Sequence, residues 1–206
     1  MIVIIDYNTG NLNSIKNILK KIGVDSLITN DPVKIANATK LILPGVGHFD
    51  YGMRNLQSLD LIDVLNKKVM VEKVPILGIC LGVQLFTMGS DEGSEPGLGW
   101  IDGYTRAFDK SKLDSRLKIP HMGWSDVRFK PASKLFAGFS ETPRFYFVHS
   151  YHLTCQNPAD ELVYSTHGYE FVAGFEHENI AGVQFHPEKS HRFGIQVFMN
   201  FINHSC

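Results

Sequence analysis

Cysteine is scarce in this chain. Cys80, Cys155 and Cys206 are the only three among 206 residues, an odd number at no metal-ligand spacing, which excludes a disulfide framework and a zinc cluster. The nine histidines include no pair at the i, i+4 spacing of H-E-x-x-H, so they read as scattered and no metal is expected. No apolar run approaches the roughly 20 residues of a membrane span. Met1 to Asp6 lacks the basic region and cleavage site of a secretory signal and reads instead as a strand. The net charge of −1 gives no electrostatic reason to expect nucleic acid or a membrane surface. Repeats, low-complexity tracts and linkers are also missing. What these absences leave is one globular domain over residues 1–206 with a single sizeable core, expected in a reducing cytoplasm.

What is present is punctuated by glycine. Pro75 to Gln84 reads P-I-L-G-I-C-L-G-V-Q: an apolar run suited to a buried strand, a cysteine between two glycines, then a helical pattern through Leu81, Leu85 and Met88. G-x-C-x-G is the thiol form of the strand–nucleophile–helix elbow. Residues without Cβ let strand and helix pass close to a strained turn, and a helix N-terminus favours thiolate over thiol. A buried structural cysteine is the competing reading of Cys80. A second strand-like run, Ile180 to Phe185, ends in His186-Pro187-Glu188. A thiol nucleophile needs a base, and the base needs a group that fixes its tautomer. Cys80, His186 and Glu188 together form the candidate catalytic triad.

The rest of the chain predicts an α/β fold. Met1 to Ile5, Ser26 to Thr29 and Lys40 to Leu43 read as strands separated by helices, one with the face Leu12, Ile15, Ile18, Leu19 and Ile22 ending at Gly23, the other opening at Asn30-Asp31-Pro32. Such alternation argues for a parallel sheet. Asp50 to Lys73 reads as one helix with the stripe Leu56, Leu59, Ile62, Leu65 and Val69. From Gly97 onward close-spaced strands are predicted at Leu98–Ile101, Tyr104–Phe108, Lys118–Met122, Val127–Phe129, Phe145–Val148, Tyr151–Cys155, Leu162–Thr166, Phe171–Glu176 and Ile180–Phe185. That spacing is too tight for crossover helices, so most of these pairings are expected to be antiparallel. Gly194 to His204 closes the chain as a helix. Pro44-Gly45-Val46-Gly47 stands at a strand's carboxyl end, where its glycines either make a simple turn or aim N–H groups at an oxyanion.

G-I-C-L-G-V-Q with H-P-E resembles the class I (triad) glutamine amidotransferases, which hydrolyse glutamine to glutamate and ammonia. The stretches D-Y-N-T-G-N-L (6–12), L-P-G-V-G (43–47), P-H-M-G-W (120–124), Y-F-V-H-S-Y (146–151) and Lys189-Ser190 are similar to the branch that works with a (β/α)8-barrel cyclase in histidine biosynthesis. The resemblance covers the whole chain. It implies a flavodoxin-like, mostly parallel central sheet flanked by helices, with further antiparallel strands in the C-terminal half. It implies that the backbone N–H groups of Gly47 and Leu81 form the oxyanion hole, and that Gly45, Gln84, Glu92, Ser150 and Tyr151 bind glutamine. Asn11, Met122, Trp124, Tyr146 and Lys189 would then line the interface and ammonia gate toward the cyclase of a heterodimer. No cofactor is implied. From the residues alone, Glu92 also reads as a solvated loop carboxylate and the aromatic stretches as local core. Two positions depart from the branch: Asn8 stands where its members generally have Gly, and Ser125 where they usually have Asn. The second lies on the partner-facing stretch, which keeps open a paralogue supplying ammonia to a nucleotide-sugar or surface-saccharide amidotransferase. A non-catalytic subunit with a relic triad and a thiol peptidase on the same fold are the rivals from other classes.

Overall fold

The computed structural model describes residues 1–203; His204, where the last helix was predicted to end, and Cys206 lie outside them. β1 (Ile2–Ile5) has no polar side chain and is buried throughout, the pattern of a strand covered on both faces. It pairs in parallel with β2 (Ser26–Thr29) and β3 (Lys40–Gly45). β4 (Ile76–Cys80) lies beside β3, and β12 (Ile180–Val183) beside β4, again parallel. The resulting order, β2-β1-β3-β4-β12, puts the carboxyl ends of β3, β4 and β12 side by side, where open α/β sheets carry their ligands.

The connections obey local rules. α1 (Leu12–Lys21) buries Ile15 and Leu19 and stops at Gly23, whose φ of 79° suits a residue without Cβ. α2 (Pro32–Ala36) starts on Asp31, whose carboxylate accepts the Val33 N–H at 2.9 Å. Asn8, the residue in place of Gly, takes φ 65°, the left-handed conformation that Asn tolerates best after Gly.

The helix expected over Asp50 to Lys73 is instead three pieces: α3 (Phe49–Ser58), α4 (Leu61–Asn66) and a π turn at Lys67–Val71. The stripe Leu56, Leu59, Ile62, Leu65 steps by three, so in one unbroken helix of 3.6 residues per turn Leu65 would drift about half a turn from Leu56. The chain breaks at Asp60, φ 54°, and resets its rotation. Leu56, Leu65 and Val69 are thereby all fully buried, while Leu59 and Ile62 are only partly so.

Beyond β12 the sheet turns antiparallel through β11 (Tyr169–His177), β10 (Glu161–His167) and β7 (Arg128–Phe129), while β9 (Tyr151–Cys155) pairs with β11 and with β5 (Gly103–Ala107). β6 (His121–Asp126) and β8 (Arg144–His149) form a separate two-stranded ribbon. The strand predicted at Leu98–Ile101 does not form. The N–H groups of Leu98, Trp100 and Ile101 are taken by the carbonyls of Leu85 and Phe86, so the segment wraps the end of the elbow rather than joining a ladder. The one predicted from Lys118 begins only at His121, because Pro120 has no N–H to give a ladder. α6 (His191–Asn203) starts three residues earlier than expected. Two apolar clusters fill the two faces of the large sheet, one containing Ile4, Ile79, Val183 and Phe185, the other Val3, Ile5, Leu43 and Leu81. Among the described residues no helix is long and apolar enough to cross a membrane.

Candidate active site

Cys80 ends β4 with φ 54° and ψ −110°, a conformation costly for any side-chain-bearing residue. The two glycines make the turn possible. A Cβ at Gly82 would lie 1.7 Å from the Leu43 carbonyl oxygen, and one at Gly78 would lie 2.7 Å from the Val83 Cα. The helix that follows, α5 (Leu81–Gln84), is a single turn, shorter than the pattern through Met88 predicts, and Met88 is exposed. The Thr87 hydroxyl donates to the Gln84 carbonyl at 2.8 Å and the Thr87 N–H to the same oxygen, closing the helix with a side-chain alternative to its own ladder.

β12 runs in register with β4, and the chain continues from it to His186. His186 Nδ1–H donates to Glu188 Oε1 at 2.8 Å, and both side chains are almost fully buried. The turn between them is a short 3-10 segment, Pro187–Lys189. Burial pushes the imidazole's pKa down, but the charge and hydrogen bonding of Cys80, then those of Glu188, outweigh it and hold the pKa up at about 10. His186 Nε2 meets no partner at full hydrogen-bond geometry among the described residues, so the ring is fixed through Glu188 and faces the Cys80 thiol on its other side.

Cys80 opens into a cleft of about 320 Å³ whose lining includes Val46, Gly47, Leu81, Gln84, Glu92, Ser150 and Tyr151. The expected oxyanion and substrate residues therefore meet at the thiol, with one exception. Gly45 is paired with Cys80 across β3 and β4 but stands behind the cleft, with the Tyr7 hydroxyl where its Cβ would be. Glu92 is not merely solvated: its Oε2 accepts the Phe49 N–H at 2.8 Å, at the start of α3. Gln84 Nε2 donates to Gln184 Oε1 at 3.0 Å and to the Tyr151 carbonyl at 3.4 Å.

Three residues at this site carry no sequence signal that singled them out. Gln184 directs Nε2 at the Cys80 sulfur from 3.8 Å; its place two residues before His186 on an extended run was the available clue, since alternate residues share a face. Thr9 grips Val46 at both ends, its hydroxyl donating to the carbonyl and accepting the N–H at 3.1 Å. Tyr7 is fully buried, its hydroxyl without a hydrogen-bond partner among the described residues, and burial and then the Cys80 charge raise its pKa. A larger groove of about 720 Å³ beside β7 and β10 has polar residues such as Arg128 and Glu170 but no thiol or imidazole.

Of the expected interface residues, Met122, Trp124 and Tyr146 sit on the outer face of the ribbon, Lys189 lies over Tyr146 from the turn after His186, and Asn11 precedes α1. Met122 and Trp124 are 62% and 41% exposed, Trp124 stacks on His191 and meets Tyr146 edge-on, and Lys189 Nζ lies 5.5 Å above the Tyr146 ring. Asn11 is exposed at the start of α1 with no capping bond from its side chain. The other face of the same strands carries His121, Phe145, Phe147 and His149, all buried, so the aromatic stretches are core and surface in alternation. Tyr146 is tied to the triad turn: its carbonyl accepts the His186 N–H at 2.9 Å, and its N–H donates to Ser190 Oγ at 3.0 Å.

A family model for the class-I glutamine amidotransferases matches residues 3–204. The chain is 54% identical over 202 residues, 98% of both chains, to imidazole glycerol phosphate synthase subunit HisH 2 of Methanococcus maripaludis. It is 46% identical, with the same coverage, to the protein of that name in Pseudomonas aeruginosa. A chain of the PurLQS structure from Thermotoga maritima superposes with a TM-score of 0.72 over 98% of this chain and 97% of that one; at 18% identity this speaks for the fold alone. Matches of this length and identity mean that the chain belongs to the class I glutamine amidotransferases and, within them, to the family of the HisH subunits.

Proposed function

We propose that the chain is a glutaminase subunit, one amidotransferase domain over residues 1–206, in which Cys80 Sγ attacks the side-chain amide carbon of glutamine. His186, held through Nδ1 by Glu188, holds the proton drawn from the thiol before attack and delivers it to the departing ammonia. The N–H groups of Gly47 and Leu81 stabilise the tetrahedral oxyanion, and Gln84, Glu92, Ser150 and Tyr151 hold the substrate. Water then hydrolyses the glutamyl thioester, releasing glutamate and restoring the thiol. The observation that carries this reading is a strained, glycine-flanked thiol acting on a buried imidazole whose Nδ1 lies 2.8 Å from a buried carboxylate.

Ammonia is mostly protonated in neutral water and then no nucleophile, so it has to leave by a shielded route. Val148 lines the cleft and pairs in register with exposed Met122, which supports passage beneath a (β/α)8-barrel cyclase docked on Met122, Trp124, Tyr146, Lys189 and Asn11 as a cytoplasmic heterodimer forming imidazole glycerol phosphate in histidine biosynthesis. Because the ammonia is useful only to the partner, activity is expected to be low in the isolated subunit and to rise on assembly. A second reading rests on Ser125, which stands on the partner-facing stretch where the branch usually has Asn: a paralogue that feeds a barrel in a nucleotide-sugar or surface-saccharide amidotransferase. The test is glutamate release by the chain mixed with its own organism's barrel cyclase, with and without the cyclase's ribulose-phosphate substrate. Strong stimulation is expected from the histidine-pathway reading. Binding without stimulation selects the saccharide branch, and release unchanged in Cys80→Ala rejects both.

A further inference from the structure

At the wall of the cleft, which His149 itself lines, begins a buried group of imidazoles to which the proposed cleavage assigns no role. From it we infer that Ser125, His121 and His149 form a one-way chain of hydrogen bonds that positions the Tyr151 carbonyl at the glutamine pocket from the partner-facing ribbon; the inference rests on the glutaminase reading. Ser125 Oγ lies 2.9 Å from His121 Nε2, His121 Nδ1 lies 3.1 Å from His149 Nε2, and His149 Nδ1 lies 2.7 Å from the Tyr151 carbonyl oxygen.

The direction follows from the far end. A carbonyl can only accept, so His149 Nδ1 carries a proton. A neutral imidazole holds only one, so His149 Nε2 accepts, His121 Nδ1 donates to it, and His121 Nε2 must accept from the Ser125 hydroxyl. Burial makes both rings neutral at neutral pH, pushing His149 well down and His121 to about 4, with His167 lowering His121 further and His121, His152 and His167 lowering His149, against the opposing Tyr151 bond. The rings are also immobilised. His121 stacks between Phe147 and His167 at 4.9 and 4.4 Å, and Phe108 packs against both His121 and His149. His167 in turn is spoken for by the Lys118 carbonyl at 3.0 Å.

The inner end reaches the chemistry. The same Tyr151 carbonyl accepts from Gln84, Gln84 donates to Gln184, and Gln184 points at the Cys80 sulfur. The outer end stands next to Trp124 on β6, the strand that also exposes Met122. Ser125, one of the two residues at which this chain departs from the branch it resembles, closes the outer end by donating its hydroxyl proton to His121 Nε2.

The experiment uses the full-length chain and two readouts. In ¹⁵N NMR of the imidazoles, His121 and His149 are both expected as Nδ1–H tautomers, and Ser125→Ala is expected to leave the tautomers in place while shifting the His121 Nε2 resonance to that of an acceptor without a donor. In labelling of Cys80 by 6-diazo-5-oxo-L-norleucine, a glutamine mimic, Ser125→Ala is expected to raise the apparent inhibitor constant about three- to tenfold, the worth of one hydrogen bond, while the limiting rate stays within twofold. Ser125→Thr, which keeps the hydroxyl, is expected to restore both. A His149 found as the Nε2–H tautomer in the unaltered protein overturns the inference by itself. So does a Ser125→Ala protein that labels with an unchanged constant. Absence of labelling in the unaltered protein would count against the glutaminase reading instead, and the tautomers would then decide the chain alone.

Discussion

Two thiols among the described residues, Cys80 and Cys155, show how little a cysteine's identity decides and how much its surroundings do. Cys155 is the more exposed of the two, partly buried at the end of β9. Burial there, with the Glu161, Asp160 and Asp102 carboxylates, pushes its thiol up to about 12, so it stays protonated and inert. Cys80 is the more deeply buried, yet it stands at a helix start, in a strained turn, beside an imidazole that a carboxylate keeps oriented. On the proposed mechanism, reactivity tracks the electrostatic neighbourhood, not access to water.

The difference can be tested at its extreme by truncation. Cys80→Ala is expected to lower glutamate release by at least about 10³-fold, in the range seen when a catalytic nucleophile is removed, whereas Cys155→Ala leaves the rate within twofold; a steady-state glutamate assay of both variants decides it. Next in size is the turn itself. Gly82→Ala drives a Cβ against the Leu43 carbonyl oxygen, 1.7 Å away, and is expected to cost about 3 kcal/mol of stability, read by denaturant unfolding. A change of sign separates the two sites more sharply. Because φ at Cys80 is 54°, Cys80→Gly relieves strain and is expected to raise stability by about 1 kcal/mol while abolishing activity. Cys155→Gly, in a regular strand, lowers it.

The smallest effect is in pH. Folded His186 keeps its proton to about pH 10, whereas an unfolded histidine releases it near pH 6.5. Its contribution to stability is therefore complete below about pH 6.5 and lost as pH rises through about 10. Unfolding midpoints measured across that window are expected to fall, and to fall less in Glu188→Gln, which removes one of the charges that hold the proton. A midpoint that rises over that window would contradict the ion-pair account.

Much of the architecture and the thiol, imidazole and carboxylate of the candidate triad were legible in the residues, whereas the expected oxyanion and substrate positions came from the resemblance. Apolar β-branched runs gave β1 to β4, Asp31-Pro32 and Gly23 marked helix ends, and the thiol between Gly78 and Gly82 announced the elbow. The failures have a common source. The stripe from Leu56 to Val69 looked like one helix because apolar periodicity does not report accumulated rotation; the turn at Asp60 is seen only when Leu56 and Leu65 have to face one sheet. Leu98 to Ile101 looked like a strand because extended apolar segments differ only in what accepts their N–H groups, and here the acceptors are Leu85 and Phe86.

The sequence by itself determined the chemistry available: a thiol on a glycine-flanked turn, and an imidazole two residues from a carboxylate with a proline to hold the angle. These are local facts, written in adjacent residues. Only the tertiary structure decided that β12 would lie in register beside β4, and so bring His186 to Cys80 across more than a hundred residues. The same holds for Gln184 at the sulfur, Thr9 on Val46, and the imidazoles of His121 and His149 in line with the Tyr151 carbonyl. Pairing of distant strands depends on the whole set of core contacts at once, and no local pattern encodes it.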